Sequence, residues 1–363
     1  MRKAVRVVAV LATVAVFAAA CGKKNEPGAS ASGGAAGGGS TIGAGKQMCE
    51  VTDTGGINDK SFNATAYKGL TDAQNAFGIT PKYLQSDTAA DYAPNIQAFL
   101  GKCDLLVTVG FLLGPATETA AKANPSQKFA IVDFAYDPTI KNVLGLTFST
   151  NEAAFLAGYV AAGMSKSGKI GTFGGLNIPT VTIFMNGLAA GILKYNQDNN
   201  ANVQLLGWDP VKQNGTFTGD FEDQNKGRQV TESLLSEGAD IIMPVAGPVG
   251  LGAAAAVQDA GNGAMLIGVD TDWYTSAPQY RSIELTSVEK RMDVAVEAAV
   301  DSTLKGTFKG GLYNGTLKND GVGIAPFHNF DSQVPQDLKT KVDELKKGII
   351  DGTVSVDPKD YAS

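Results

Sequence analysis

Short apolar runs alternate with amphipathic stretches along the chain from residue 48 onward. We interpret the apolar runs as strands, at 48–53, 79–86, 104–110, 128–134, 143–149, 169–175, 203–209, 240–246, 264–270 and 281–287. The stretches between them repeat apolar residues with a helical period and therefore predict helices. These helices cover 61–78, 92–102, 151–166, 180–198, 221–238, 248–262, 287–306 and 333–349.

This alternation predicts an α/β fold. Strands that alternate with helices form parallel sheets, which helices cover on both faces. Ten strands over roughly 315 residues exceed what one core holds, so we expect two lobes. The first would comprise 47–149 and about 272–308, and the second 150–271 and about 309–363. In such sheets ligands bind beyond the carboxyl ends of the strands.

Polar residues stand at several of those strand ends. Asp53, Asp133 and Asp270 each end an apolar run, and Gly247 follows another. Each has a structural explanation, because glycine is common in turns and aspartate often caps the next helix. Three carboxylates with few cations nearby would suit a neutral polyol or heterocycle better than an anion. Neither a phosphate-binding loop with Lys-Ser/Thr nor a dinucleotide-binding glycine motif is present.

Composition and charge exclude several classes of function. The chain has 363 residues, with 30 Lys and Arg against 36 Asp and Glu, and a formal net charge of −6. A nucleic-acid-binding protein normally presents a basic face, so this balance argues against one. His328 is the single histidine and there are three cysteines, which argues against a zinc, haem or iron–sulfur site. We therefore expect no metal, no cofactor and no enzymatic activity.

The amino-terminal segment has the pattern of a targeting signal. In residues 1–20, three basic residues precede an apolar stretch and small residues, as in a bacterial signal peptide. Cys21 follows directly and completes a sequence that resembles a lipobox, which predicts lipid attachment; the alternative is an ordinary cleaved signal. The Gly-, Ala- and Ser-rich residues up to 46 predict a flexible tether. We expect a lipid-anchored protein on the extracytoplasmic side of the cell membrane.

Several motifs resemble one family in colinear order. VTDTGGINDKSFNATAYKGL (51–70) resembles the opening signature of the basic membrane protein (BMP) family, the substrate-binding lipoproteins of ABC importers, which include purine-nucleoside receptors. Further matching segments are 151–162, 169–192, 238–252, 267–274 and 287–296. The resemblance implies a type I periplasmic-binding-protein fold, with two Rossmann-like lobes joined by a hinge. It also implies a nucleoside held between the lobes, and an ABC permease with its ATPase as partners.

The same resemblance assigns roles to residues of the first lobe. Phe62 matches a ring that stacks on the base, and Asp53 and Asn63 match groups that face the base. Asp133 would lie at the corresponding strand end on the opposite wall. An aromatic face, a carboxylate and an amide suit a flat heterocycle with hydrogen-bonding edges.

The resemblance also assigns two residues to the ribose. Asp270 and Lys290 match the pair that holds its hydroxyl groups. Related receptors commonly carry an aromatic residue just before the Ala-Gly pair that ends at Gly247. Here Met243 lies in that region, and a methionine sulfur can cover a ring face.

Alternatives stay open on the residues alone. The fold could bind a sugar or another polar signal as a sensor, or the chain could be a surface adhesin. A nucleoside-cleaving enzyme would need a general acid or a metal cluster, which the sequence does not offer. Phe62 could instead be a core residue and Lys290 a solvated charge, and Ser61 looks like a helix N-cap or a residue near it.

A disulfide between Cys49 and Cys103 is also expected. Cys49 lies near the start of the first strand and Cys103 just before the third. In a sheet of order 2-1-3-4-5 these strands are parallel neighbours ~4.8 Å apart, which is compatible with the geometry of a disulfide. Secretion places the chain in an oxidising compartment. The alternative is two buried free thiols.

Overall fold

The computed structural model describes residues 41–361. The expected signal peptide, Cys21 and most of the tether lie outside the described residues. The strands are β1 (Gln47–Val51), β2 (Thr80–Leu84), β3 (Leu105–Val109), β4 (Phe129–Val132), β5 (Val143–Phe148), β6 (Lys169–Gly174), β7 (Gln204–Leu206), β8 (Trp208–Asp209), β9 (Asn214–Gly215), β10 (Ile241–Val245), β11 (Met265–Asp270), β12 (Glu284–Lys290), β13 (Gly311–Gly315) and β14 (Val322–Ile324). The helices are α1 (Phe62–Phe77), α2 (Tyr92–Phe99), α3 (Gly114–Ala123), α4 (Thr150–Met164), α5 (Pro179–Asn199), α6 (Gln224–Ser236), α7 (Val249–Ala260), α8 (Trp273–Ser276), α9 (Met292–Leu304) and α10 (Gln336–Ile350).

Two six-stranded sheets organise these elements. The first has the order β13-β5-β4-β3-β1-β2, and all its pairs are parallel. The second has the order β14-β12-β11-β10-β6-β7 and is parallel except for the pair of β12 with β14. The first sheet contains the expected 2-1-3-4-5 order. The predicted α/β fold with parallel sheets is confirmed.

The path of the chain after β11 differs from the expected lobe boundaries. Strand β12 lies in the second sheet beside β11, although about 272–308 was assigned to the first lobe. From that segment, α9 packs against α1 and against strands β3, β4 and β5 of the first sheet. Strand β13 then joins the first sheet and β14 returns to the second. A strand's own apolar pattern does not specify which sheet it joins. The sequence therefore could not predict where the chain passes from one sheet to the other.

A disulfide links strand β1 of the first sheet to the segment just before β3. Cys49 on β1 and Cys103, just before β3, form a disulfide with their Cα atoms 5.9 Å apart. Both are buried in a cluster with Val51, Leu106 and Ile131 on one face of the sheet. The bond lies at the end of the sheet opposite to the carboxyl ends of the strands.

None of the helices between residues 41 and 361 combines the length and the apolar character that a membrane span requires.

Candidate ligand-binding site

A cavity lies where the carboxyl ends of the two sheets face each other. Seven of the eight residues expected to bind a ligand line it: Asp53, Phe62, Asn63, Asp133, Gly247, Asp270 and Lys290. Side chains from both lobes therefore meet around one space.

Two of the carboxylates are held in an unusual backbone conformation. Asp133 directly follows β4 and has φ 64°, and Asp270 ends β11 and has φ 71°. Residues other than glycine rarely adopt this left-handed region, and those that do concentrate at functional sites. Corresponding strand ends of the two sheets thus present a carboxylate to the cavity with the same backbone strain.

Lys290 connects these two carboxylates. Its Nζ donates a hydrogen bond to Asp133 Oδ2 at 2.7 Å and lies 3.5 Å from Asp270 Oδ1. Only 3% of the Lys290 side chain is exposed, and its ammonium lies 4.8 Å from the ring centre of Phe62 and 5.2 Å from that of Phe184. A buried cation surrounded by carboxylates and ring faces is stabilised by both.

The protonation states follow from burial and these contacts. Burial acts to lower the pKa of Lys290, but Asp133 and Asp270 outweigh it and raise the pKa above its ordinary value. Lys290 therefore carries its charge. Burial raises the pKa of Asp133 in spite of Lys290, and it raises the pKa of Asp53 well above its usual range.

Asp53 and Asn63 form a second polar corner of the cavity. A Cβ atom at Gly110 would lie 2.4 Å from Asp53 Oδ2, so only glycine leaves room for this carboxyl group. Asn63 donates from Nδ2 to the carbonyl oxygen of Gly56 at 3.3 Å. Its Oδ1 atom is buried and has no hydrogen-bond partner among residues 41–361. This amide oxygen is a buried acceptor on a residue that lines the cavity.

Asp59 caps α1 and leaves Ser61 free for another contact. The Asp59 carboxylate accepts hydrogen bonds from the backbone N–H groups of Ser61, Asn63 and Ala64 at 2.8–3.0 Å. Burial outweighs these bonds and raises the pKa of Asp59 to about 6. Ser61 occupies the expected N-cap position, but its side chain makes no capping bond. The sequence motif suggested the N-cap position, but it did not indicate which side chain makes the capping hydrogen bonds.

Met243 does not reach the cavity, contrary to the expectation. Its side chain is fully buried within β10, and its carbonyl oxygen accepts a hydrogen bond from Thr172. Only the residues at the end of this strand, from Val245 onward, line the space. The motif match predicted that Met243 lies near the site. The cavity does not extend far enough along the strand for Met243 to line it.

Three aromatic residues of the cavity wall were missed by the sequence analysis. These are Phe111 after β3, Phe184 on α5 and Phe221 in the loop before α6. Phe184 was hidden among apolar residues of its helix, and Phe111 lies in a connecting segment where apolar periodicity carries no signal. Phe221 was placed in a predicted helix, which begins only at Gln224. These rings add to the apolar wall that Phe62 and several aliphatic residues form.

No group of three or more His, Cys, Asp or Glu side chains in the described part of the chain is arranged to hold a metal ion.

Glu50→Gln is expected to make the protein more stable than wild type near pH 8 and not near pH 4. Burial, then Asp59 and Asp53, raise the pKa of Glu50 well above its ordinary 4.5. The unfolded chain therefore loses this proton at lower pH than the folded protein. Wild-type stability then falls with rising pH, by up to ~1.4 kcal/mol per pH unit, until the folded-state pKa is passed. Glutamine has no such proton to lose.

Urea denaturation at several pH values measures this difference. Glu344 is an exposed carboxylate, and Glu344→Gln is the matched control, with no pH-dependent gain expected. An advantage of Glu50→Gln that is equal at acidic and alkaline pH would contradict a neutral Glu50 in the folded state.

Comparisons with known proteins agree with this geometry. The family model Bmp, described as ABC transporter substrate-binding protein PnrA-like, matches residues 46–358. The chain is 34% identical over 332 residues to the ABC transporter nucleoside-binding protein BmpA of Lactococcus lactis, covering 85% of this chain and 88% of that protein. It is 33% identical over 307 residues to basic membrane protein A of Borreliella burgdorferi, covering 83% and 85%.

Solved structures are similar along most of the chain. An ABC transporter solute-binding protein from Aeropyrum pernix has a TM-score of 0.77 and 28% identity, over 85% of this chain and 92% of that one. One from Conexibacter woesei has a TM-score of 0.66 and 23% identity, over 85% and 97%, and shows the shared fold. The expected family resemblance and periplasmic-binding-protein fold are confirmed. The matched family is one of binding proteins and not of enzymes, as expected.

Proposed function

The chain belongs to the Bmp family of ABC transporter substrate-binding proteins, and from this premise we propose that it binds a purine nucleoside in the inter-lobe cavity. Proteins of this family bind a small molecule outside the cytoplasm and deliver it to a transporter. The nucleoside as ligand, and an ABC permease with its ATPase as recipients, are the further steps of the proposal.

The observation that carries the proposal is the pairing of ring surface with an unpartnered amide oxygen and carboxyl groups around one cavity. Phe62 offers a face on which a base stacks. The unpartnered Oδ1 of Asn63 requires an N–H donor, which a base edge supplies. Asp270 accepts hydrogen bonds from two neighbouring hydroxyl groups, as a ribose provides. A flat base covers more of this ring surface than a free sugar does.

The charges around the cavity favour an uncharged ligand. Four aspartates (Asp53, Asp59, Asp133 and Asp270) and one lysine line it, and the lysine is already paired with two of them. A phosphate group would meet carboxyl groups without a free cation to balance it. Nucleosides should therefore bind, and their 5′-monophosphates should not.

The test is to identify what the protein carries and what it prefers. Native mass spectrometry of the freshly purified protein should detect a co-purified nucleoside. Calorimetry should give purine nucleosides about 10- to 100-fold tighter binding than free ribose, since stacking of one base contributes roughly 1–3 kcal/mol. Binding of sugars without binding of any nucleoside would refute the proposal.

Asp270→Ala is expected to weaken nucleoside binding by about 2–4 kcal/mol, because charge-assisted hydrogen bonds to the ribose are lost. Calorimetry measures the affinity, and thermal unfolding verifies that the variant folds. Asp259→Ala is the matched control, since this exposed carboxylate lies on the outer surface of the second lobe. Equal affinities of Asp270→Ala and wild type would remove Asp270 from the proposed ribose site.

The proposal also covers the location of the protein. A lipid on Cys21 and the tether of 21–46 would hold the binding lobes at the extracytoplasmic face of the cell membrane. Cys21→Ala should move the protein from the membrane fraction to the soluble fraction on cell fractionation. Retention in the membrane fraction would contradict the anchor.

A further inference from the structure

Ser61 has a hydroxyl group that its own helix does not use. The residue directly precedes α1, where Asp59 binds the free backbone N–H groups. Ser61 is only 1% exposed, so its hydroxyl must find a partner within the protein. Its removal would leave the cap of α1 intact.

That hydroxyl contacts the opposite lobe. Ser61 Oγ lies 2.9 Å from Asp270 Oδ2 and 3.2 Å from the carbonyl oxygen of Val269. A hydroxyl has one proton to donate, and a carboxylate is the stronger acceptor, so the bond goes to Asp270. Ser61 belongs to the connection that leaves the first sheet, whereas Asp270 ends β11 in the second. The bond therefore joins the two lobes beside the cavity.

The bond also determines how Asp270 presents itself. Its Oδ1 faces the ammonium of Lys290 at 3.5 Å, and its Oδ2 accepts from Ser61. With one partner at each oxygen, the plane of the carboxylate is set before a ligand arrives. A group that is already oriented loses less freedom when it binds.

We propose that Ser61 is a positioning residue that acts as a latch: its hydroxyl orients the Asp270 carboxylate and links the two lobes in the closed state. The inference rests on the proposed ligand site and names a residue that acts through another. Because the two partners lie on different lobes, the bond is lost when the lobes separate. It therefore raises the closed population and slows the release of ligand.

A second contact between the lobes limits the effect of losing the Ser61 hydroxyl. Lys290 on the second sheet binds Asp133 on the first at 2.7 Å and is independent of Ser61. Loss of the serine hydroxyl thus weakens closure without separating the lobes completely. A folded variant with faster ligand release is the expected result.

The experiment compares Ser61→Ala, Ser61→Thr and Thr65→Val in the full-length protein. Thr65 is the matched control, because its buried hydroxyl bonds the carbonyl oxygen of Ser61 within the first lobe. Stopped-flow tryptophan fluorescence with inosine measures association and release. Ser61→Ala should release inosine about 10-fold faster or more, with little change in association, since hydrogen bonds to charged groups contribute roughly 1.5–3 kcal/mol. Ser61→Thr should recover slow release, and Thr65→Val should keep it.

A ligand-free measurement separates the latch from the identity of the ligand. Hydrogen–deuterium exchange of the unliganded protein should show faster exchange around 265–276 in Ser61→Ala than in wild type or Thr65→Val. Unchanged release together with unchanged exchange in Ser61→Ala would overturn the latch and leave the nucleoside proposal standing. If wild type binds no nucleoside, the proposed function fails, and the exchange data alone decide on the latch.

Discussion

Replacing Lys290 with methionine is expected to lower the free energy of unfolding by about 3–5 kcal/mol, the range observed when one partner of a buried ion pair is removed. Lys290 is 3% exposed and is the cation within reach of both Asp133 and Asp270. Without it, two buried carboxyl groups face each other across the cavity. Burial and the neighbouring Asp270 raise the pKa of Asp133, and without Lys290 no cation opposes them, so the loss should be smaller at acidic pH.

Two further variants show whether the uncompensated carboxylates cause this loss. Lys290→Met combined with Asp133→Asn should recover much of the stability, because a neutral amide replaces one orphaned carboxylate. Lys68→Met is the matched control, since Lys68 is 55% exposed, pairs with Asp293 and should contribute at most ~1 kcal/mol. Urea denaturation measures all three. A Lys290→Met protein within 1 kcal/mol of wild type would argue that water already solvates these carboxylates.

Removal of the disulfide is the second large effect. Replacing Cys49 and Cys103 by alanine should lower the free energy of unfolding by about 4 kcal/mol, the value of the chain-entropy model for a loop of this length. The two cysteines are 54 positions apart in sequence. Native strain or residual structure in the unfolded chain would make the loss smaller. Wild type in reductant should behave like the variant, and reductant should not change the variant.

The oxidation state itself is checked by alkylation. If the disulfide forms in the secreted protein, Cys49 and Cys103 do not react with an alkylating reagent after denaturation without reductant. Two reactive thiols under those conditions would contradict the bond and favour two buried free cysteines.

Much of the fold could be predicted from periodicity. The expected helix at 61–78 is α1, Phe62–Phe77, because one face of that segment is apolar at helical spacing. The apolar pattern gave a wrong prediction where the same residues are compatible with both a strand and a helix. The helix expected from 287 begins only at Met292, because residues up to Lys290 extend β12 across the second sheet. Strands β13 and β14 were not predicted, because Gly and Asn interrupt the apolar residues of β13 and Gly those of β14.

The pattern of strands was enough to place aspartates at the carboxyl edges of the sheets. Carboxyl ends of parallel strands share one edge of a sheet, so Asp53, Asp133 and Asp270 had to lie at such edges. The roles of Phe62 and Lys290 could be suggested only by resemblance to a family, since nothing in their spacing distinguishes a ligand contact from a core or surface residue.

Which groups meet across the cavity depends on how distant segments pack together. The bond from Ser61 to Asp270 joins residues 209 positions apart, and the pair of Lys290 with Asp133 joins residues 157 apart. Such contacts depend on how two lobes face each other, which no local pattern records. For the same reason Met243 matched a motif but lies buried beneath the cavity. Periodicity and strand ends are local properties that a sequence carries, whereas partners across a cleft are set by packing of distant segments.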